Sequence, residues 1–201
     1  MTSTASDPTR LVVVGCSWGG LEAVSTLLDH LPEDSLCALA VAQHRGPIRS
    51  ALTELWARHT TWPVLEPDDK QPILARHVFV APPAYHLMVE GDHLALSTEA
   101  PLNHSRPSID VLFDSAAKAW GHRVVAVVLT GANADGSAGA AAVAARGGVV
   151  VVQEPGEAAH PQMPTAALAA VPSATVLALA DIGPHLGRLC RSASHGVGSS
   201  A

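Results

Sequence analysis

The segment Gly15-Cys16-Ser17-Trp18-Gly19 carries a G-x-S-x-G pattern. Between a strand and a helix, such a pattern turns the chain sharply enough to lift a serine hydroxyl above a sheet edge, where it can act as a nucleophile. The neighbouring residues supply that context, with the apolar run Leu11–Val14 ahead and a helical repeat over Leu21–His30 behind. Glycines flanking Ser17 accommodate the turn and leave room for a substrate. The helix N-terminus behind it offers unpaired N–H groups to a developing oxyanion. The same residues also suit a glycine-rich turn that binds phosphate or only reverses the chain. A dinucleotide fingerprint would need glycine where Ser17 stands, and no Gly-Lys-Ser/Thr signature occurs. Cys16 is the alternative nucleophile, one residue away on the turn and expected to point elsewhere.

A serine nucleophile needs a base, and the base needs a group to orient it. His44 follows the apolar run Leu36–Ala42, and Asp135 follows the run Val124–Leu129 within Leu129-Thr130-Gly131-Ala132-Asn133-Ala134-Asp135-Gly136. In an open parallel sheet the carboxyl ends of the strands line one crevice, so Ser17, His44 and Asp135 can converge from distant parts of the chain. Their order, Ser then His then Asp, differs from that of α/β-hydrolases, but a triad is defined by geometry. The competing reading of His44 is a structural histidine, one of 11 in the chain. Asp135 also suits the N-cap of a helix starting near Ser137. The backbone N–H of Trp18, with a second donor near Ala132 and Asn133, is the candidate oxyanion site. Thr130 either buttresses the Asp135 turn or is a plain buried threonine. Arg106 steers an acidic partner or anchors its own loop, and His86 is a further candidate for substrate contact. His77, His86, His93 and His104 show no tight ligand spacing, so neither a metal nor a cofactor is expected.

These residues require a scaffold that gathers strand ends. Apolar runs at Leu11–Val14, Leu36–Ala42, Val124–Leu129, Val149–Val152 and Thr175–Leu179 read as strands, and Leu21–His30, Ser50–His59 and Ile109–Trp120 as helices. In the last of these, Ile109, Leu112, Phe113, Ala116, Ala117 and Trp120 form one stripe of a 3.6-residue period. Strands rich in β-branched residues without polar alternation predict burial on both faces. Tyr85–Ser97, turning at Glu90-Gly91-Asp92, predicts a β-hairpin. The expected fold is α/β and Rossmann-like: a doubly wound, mostly parallel sheet with helices on both faces and an inserted β-hairpin. It forms one domain over residues 11–191, between disordered tails at 1–10 and 192–201. With 48% apolar residues the chain has a core to bury, which excludes disorder, and only 3% aromatics leave Ala, Val and Leu to fill it. A net charge of -6 with no basic run excludes nucleic acid as a partner. Cys16, Cys37 and Cys190 indicate neither a disulfide framework nor a zinc site. No signal-peptide core and no apolar span of ~18 residues occurs, so the chain is expected to be cytoplasmic, without membrane insertion.

Taken in order, GCSWGGLEAV, VAQH, NHSRPSIDVLF, LTGANADGSAG and QMPTAA resemble the catalytic domain of the CheB protein-glutamate methylesterase family, from about Leu11 to Cys190. The resemblance implies hydrolysis of γ-glutamyl methyl esters on bacterial chemoreceptors, with deamidation of glutamine there, and no cofactor. Its implied partners are the methylated cytoplasmic helices of those receptors or related signalling proteins. It implies a triad at Ser17 of the G-x-S-x-G-G turn, His44 of the Gln-His pair and Asp135 of the L-T-G-x-x-x-D-G turn. It also implies an N-terminal receiver domain, which is not expected here because only about ten residues precede the first strand. Trp18 stands where the family commonly has a small or hydroxylated residue, and Ala132-Asn133 replaces a common Met-Gly pair. Trp18 is expected either to narrow the site or to pack on its own helix. The alternative functions are an esterase-like module that only binds signalling proteins, and an esterase acting on a non-receptor ester.

Overall fold

Along strand β1 (Arg10–Cys16) the side chains divide by parity, as the two-residue period of a strand requires. Leu11 and Val13 enter one apolar cluster and Val12, Val14 and Cys16 the other, all fully buried. Such a strand must be covered on both faces. The chain, described over residues 7–45, 51–102 and 104–191 in a computed structural model, supplies both covers.

β1 leads into α1 (Gly20–Asp29), β2 (Cys37–Gln43), α2 (Leu52–Trp56) and three short strands, β3 (Val64–Leu65), β4 (Gln71–Pro72) and β5 (Val78–Val80). The hairpin of β6 (His86–Glu90) and β7 (His93–Ser97) precedes α3 (Ile109–Trp120) and β8 (Val124–Val128). Then come α4 (Ser137–Ala145), β9 (Val149–Gln153), α5 (Gln162–Ala170), β10 (Thr175–Leu177) and α6 (Leu179–Leu189). One 7-stranded sheet has the order β10-β9-β8-β1-β2-β5-β3, with every pairing parallel. Residues of α1, α2 and α6 pack on one face and those of α3, α4 and α5 on the other. A small antiparallel sheet, β4-β7-β6, joins the α3 side through Leu87, Val89 and Leu94. α3 and α4 approach closely: a Cβ on Gly139 would lie 2.5 Å from Phe113 Cβ. From β1 the chain runs outward through β2, then returns to β8 on the other side of β1. The carboxyl ends of β1, β2 and β8 therefore meet where the strand order reverses, the place where such sheets bind ligands.

The fold class is the one expected, and α3 keeps its predicted bounds. The differences are local. β1 starts at Arg10, and Thr9 is already tied to the Leu36 carbonyl through its N–H (2.7 Å) and hydroxyl (2.8 Å). Those two residues are thus part of the fold, although a tail was expected through residue 10. The tails expected over residues 1–6 and 192–201 lie outside the described residues, as does Ser50 of the helix expected over Ser50–His59, which is observed as Leu52–Trp56. Leu179 opens α6 rather than ending a strand. β3, β4 and β5 have no counterpart in the sequence reading, because strands of two or three residues show no period.

Candidate active site

The turn after β1 is held from both sides. Ser17 N–H donates to the Thr130 carbonyl (2.9 Å), and the Ser17 carbonyl accepts from Gly20 N–H (2.9 Å) and Gln43 Nε2 (2.9 Å). Gly19 completes the turn at φ +77°, where a Cβ would also meet Ala159 Cβ at 2.8 Å. The Thr130 hydroxyl donates to the Trp18 carbonyl (2.9 Å) and accepts from His160 N–H (2.9 Å). Thr130 therefore ties the serine turn to the His160 loop and does not buttress the Asp135 turn. Among the described residues, the N–H groups of Trp18 and Ala132 donate to no protein acceptor. Cys16 points the other way, fully buried, with its thiol donating to Gln43 Oε1 (2.9 Å). Burial pushes that thiol far above its ordinary value, which removes it as a nucleophile.

His44 stands one residue beyond β2, whose Gln43 is the register partner of Cys16 in β1, so the histidine lies beside Ser17. His44 N–H donates to the Cys16 carbonyl (3.0 Å), and Gln43 Nε2 bridges the carbonyls of Ser17 and His44 at 2.9 and 3.0 Å. His44 Nε2 donates to Asp135 Oδ2 at 2.7 Å. Asp135 is buried, and it accepts three further hydrogen bonds: from the Ser108 hydroxyl (3.0 Å), Ile109 N–H (2.8 Å) and Asp110 N–H (3.0 Å). Burial pushes its carboxyl up, but His44 and the two N–H groups outweigh this and hold it below its ordinary value. The aspartate thus caps α3 and not α4, whose N-cap is Gly136. In exchange Asp110, in the first turn of α3, accepts from Gly136 N–H (2.9 Å) and Gly139 N–H (2.8 Å) at the start of α4. Burial, foremost, and the neighbouring Asp135 carboxylate raise the Asp110 carboxyl above its ordinary value.

Ser17, Trp18, His44, Arg45, His104 and Arg106 line one groove of about 750 Å³. Trp18 is 69% exposed, its ring edge-on to His160 at 5.9 Å, so it forms part of the groove wall and does not pack down on α1. Ala132 and Asn133 are exposed, and Asn133 Oδ1 accepts Asp135 N–H (3.2 Å). Arg106 lines the groove and also anchors its loop, donating to the carbonyls of Thr98 and Glu99, both at 2.9 Å. His86 corrects the sequence reading. It is 2% exposed, with Nδ1 accepting from Ser108 N–H (3.2 Å) and Nε2 donating to the Ala100 carbonyl (3.2 Å), so it braces the segment before α3 and does not line this groove. The sequence reading missed Gln43, Ser108 and Asp110 as site supports. Its available signals were a polar residue closing the apolar strand β2, and a serine directly before the α3 stripe. Among the described residues no cluster of three or more His, Cys, Asp or Glu could hold a metal ion. No helix among them is long and apolar enough to cross a membrane.

The chain matches the model of CheB methylesterase over residues 12–186. A relative from Leptospira interrogans is 36% identical over 173 residues, which make up 85% of this chain and 90% of that one. A Nocardioides protein named protein-glutamate methylesterase/protein-glutamine glutaminase is 40% identical over 191 residues, 90% of this chain but 51% of that protein. The chain therefore spans about half the length of that second relative. The crystal structure of the Thermotoga maritima CheB methylesterase catalytic domain superposes with a TM-score of 0.86 at 26% identity, covering 92% of this chain and 99% of that one.

Proposed function

The chain belongs to the CheB methylesterase family, and on that premise we propose that it hydrolyses glutamate γ-methyl esters, and deamidates glutamine, on the cytoplasmic helices of bacterial chemoreceptors. The observation that carries this reading is the short bond from His44 Nε2 to a buried, ionised Asp135, beside Ser17 in an open groove. Because Asp135 holds Nε2, the nitrogen left to act as base is Nδ1. Ser17 Oγ attacks the ester carbonyl while His44 Nδ1 takes its proton, and Asp135 stabilises the imidazolium. The N–H groups of Trp18 and Ala132, which donate to no other acceptor among the described residues, receive the oxyanion. Collapse of the tetrahedral intermediate expels methanol, which takes the proton from His44. Water then attacks the acyl-enzyme with His44 again as base, releasing the glutamate side chain and regenerating Ser17. With glutamine, ammonia leaves in place of methanol. A substrate on the cytoplasmic part of a receptor places the enzyme in the cytoplasm.

The test is methanol release from a methylated receptor fragment by the chain and by Ser17→Ala. Loss of turnover by about three orders of magnitude or more, with unfolding unchanged, is expected. A fluorophosphonate should label wild type at Ser17 alone. Turnover surviving in Ser17→Ala would overturn the nucleophile. A folded wild-type chain that neither turns over nor labels would identify a binding module instead.

A further inference from the structure

We infer that Asn133 is a positioning residue that, together with Asp135, holds His44 with Nδ1 unprotonated between turnovers. The inference rests on His44 being the general base and deepens that reading. Asn133 Oδ1 is already committed, accepting Asp135 N–H at 3.2 Å. An amide whose oxygen is held in this way presents its NH2 group to any second partner. That group faces His44, with Nδ2 lying 3.4 Å from Nδ1. An NH2 group donates and does not accept, so only an unprotonated Nδ1 satisfies it. The ring proton is then on Nε2, where Asp135 Oδ2 receives it at 2.7 Å. One side chain thus bridges the acid, through its backbone, and the base, through its ring. A proton on Nδ1 would point at the Asn133 donor, so Asn133 opposes an imidazolium that forms without substrate. At 3.4 Å the contact is long, and a serine hydroxyl at normal distance displaces it.

The other charged groups around the ring are the same in every variant of the test. Asp135 touches Nε2, and Asp110 stands behind it with its carboxylate on the α4 N-terminus. Arg45, His104 and Arg106 share the groove; Arg45 is paired with Glu66 at 2.6 Å, and Arg106 donates to the Thr98 and Glu99 carbonyls. The backbone at Asn133 is not in the left-handed region, so alanine fits there without strain.

The experiment measures kcat/KM against pH on a methylated receptor fragment for wild type, Asn133→Ala and Asn133→Asp. In parallel the His44 ring is titrated by 1H–15N correlation spectra, its signals identified by their loss in His44→Gln. The acid limb is expected to move to higher pH in Asn133→Ala, where nothing opposes protonation. In Asn133→Asp it should move further, by about one unit, because a carboxylate there accepts from a protonated Nδ1. The ring titration should shift in the same order. If Asn133→Asp does not fold, Asn133→Ala and Asn133→Ser carry the test. An acid limb and a ring titration that stay in place, or move to lower pH, would overturn the inference. His44→Gln separates the two levels: if it retains turnover, the base assignment itself fails. If it abolishes turnover while the Asn133 variants leave the limb unmoved, only the role of Asn133 fails.

Discussion

Gln43 fixes the spacing of Ser17 and His44 by hydrogen-bonding both backbones at once. Its own amide is oriented by the Cys16 thiol at 2.9 Å, so the NH2 group has one place to point. Methionine keeps the length of the side chain but removes the bridge, leaving the Ser17 carbonyl with Gly20 N–H alone and the His44 carbonyl without its Gln43 donor. Gln43→Met should therefore lower kcat by about tenfold to a hundredfold, since a misplacement near 1 Å has that effect, while KM stays close to wild type. Steady-state kinetics with a thermal melt would check it, and an unchanged kcat would mean the paired strands hold the spacing alone. That Ser17, His44 and Asp135 lie at one end of the sheet was legible in the sequence, because each is a polar residue that follows an apolar strand. The supports were not. Gln43 acts through the direction of its amide, and buried His86 accepts from the N–H of Ser108, 22 residues away, a contact that no local pattern announces.

At the scale of elements, α3 and α4 cap each other. Asp135, in the turn before α4, receives the first N–H groups of α3, and Asp110, in the first turn of α3, receives those of α4. Each carboxylate thereby meets the positive end of the partner helix. The exchange requires the helices to lie close, and Gly139 permits it. Alanine there gains about 1 kcal/mol of helix propensity. Its Cβ would lie 2.5 Å from Phe113 Cβ and 3.1 Å from the Asp110 carbonyl, and neither is a flexible side-chain end that can swing aside. The helices must part, so the steric term wins, and Gly139→Ala should destabilise the protein by about 1–2 kcal/mol net. A drop of a few degrees in Tm together with lower turnover is the expected result. A Tm at or above wild type would show that the contact gives way freely. α3 was readable because its stripe repeats over 12 residues. α6 was not, because Gly183, Pro184 and Gly187 are poor helix formers and Pro184 inside it reads as a break. Ile182 and Leu186 pack into the second core, with Leu179 and Leu189 against it, and hold it as a helix.

For the whole molecule, the reciprocal caps make stability depend on two neighbouring carboxyl groups, with opposite signs. The Asp135 carboxyl is held below its ordinary value, so its contribution is full above the unfolded carboxylate pKa of about 3.9 and is lost as pH falls through the folded value. The Asp110 carboxyl is raised, so ionising it opposes folding, and protonation on acidification relieves that cost. Asp135→Asn should therefore be less stable than wild type at neutral pH, with the deficit closing below about pH 4 as wild type loses the same charge. Asp110→Asn should run the other way. Its amide oxygen still accepts the N–H groups of Gly136 and Gly139, while the like charge beside Asp135 is gone, so at neutral pH it should match or exceed wild type. That advantage should disappear in acid. Protonation of the histidines that do not touch Asp135 carries the net charge upward from -6 in all three proteins alike and cancels in the differences; His44, bonded to Asp135 at 2.7 Å, is not among them. Thermal unfolding of the three proteins between pH 3 and 8 decides the matter. A deficit of Asp135→Asn that persists unchanged at the lowest pH would mean the carboxylate acts through shape alone, and the charge would then matter only for holding the His44 imidazolium.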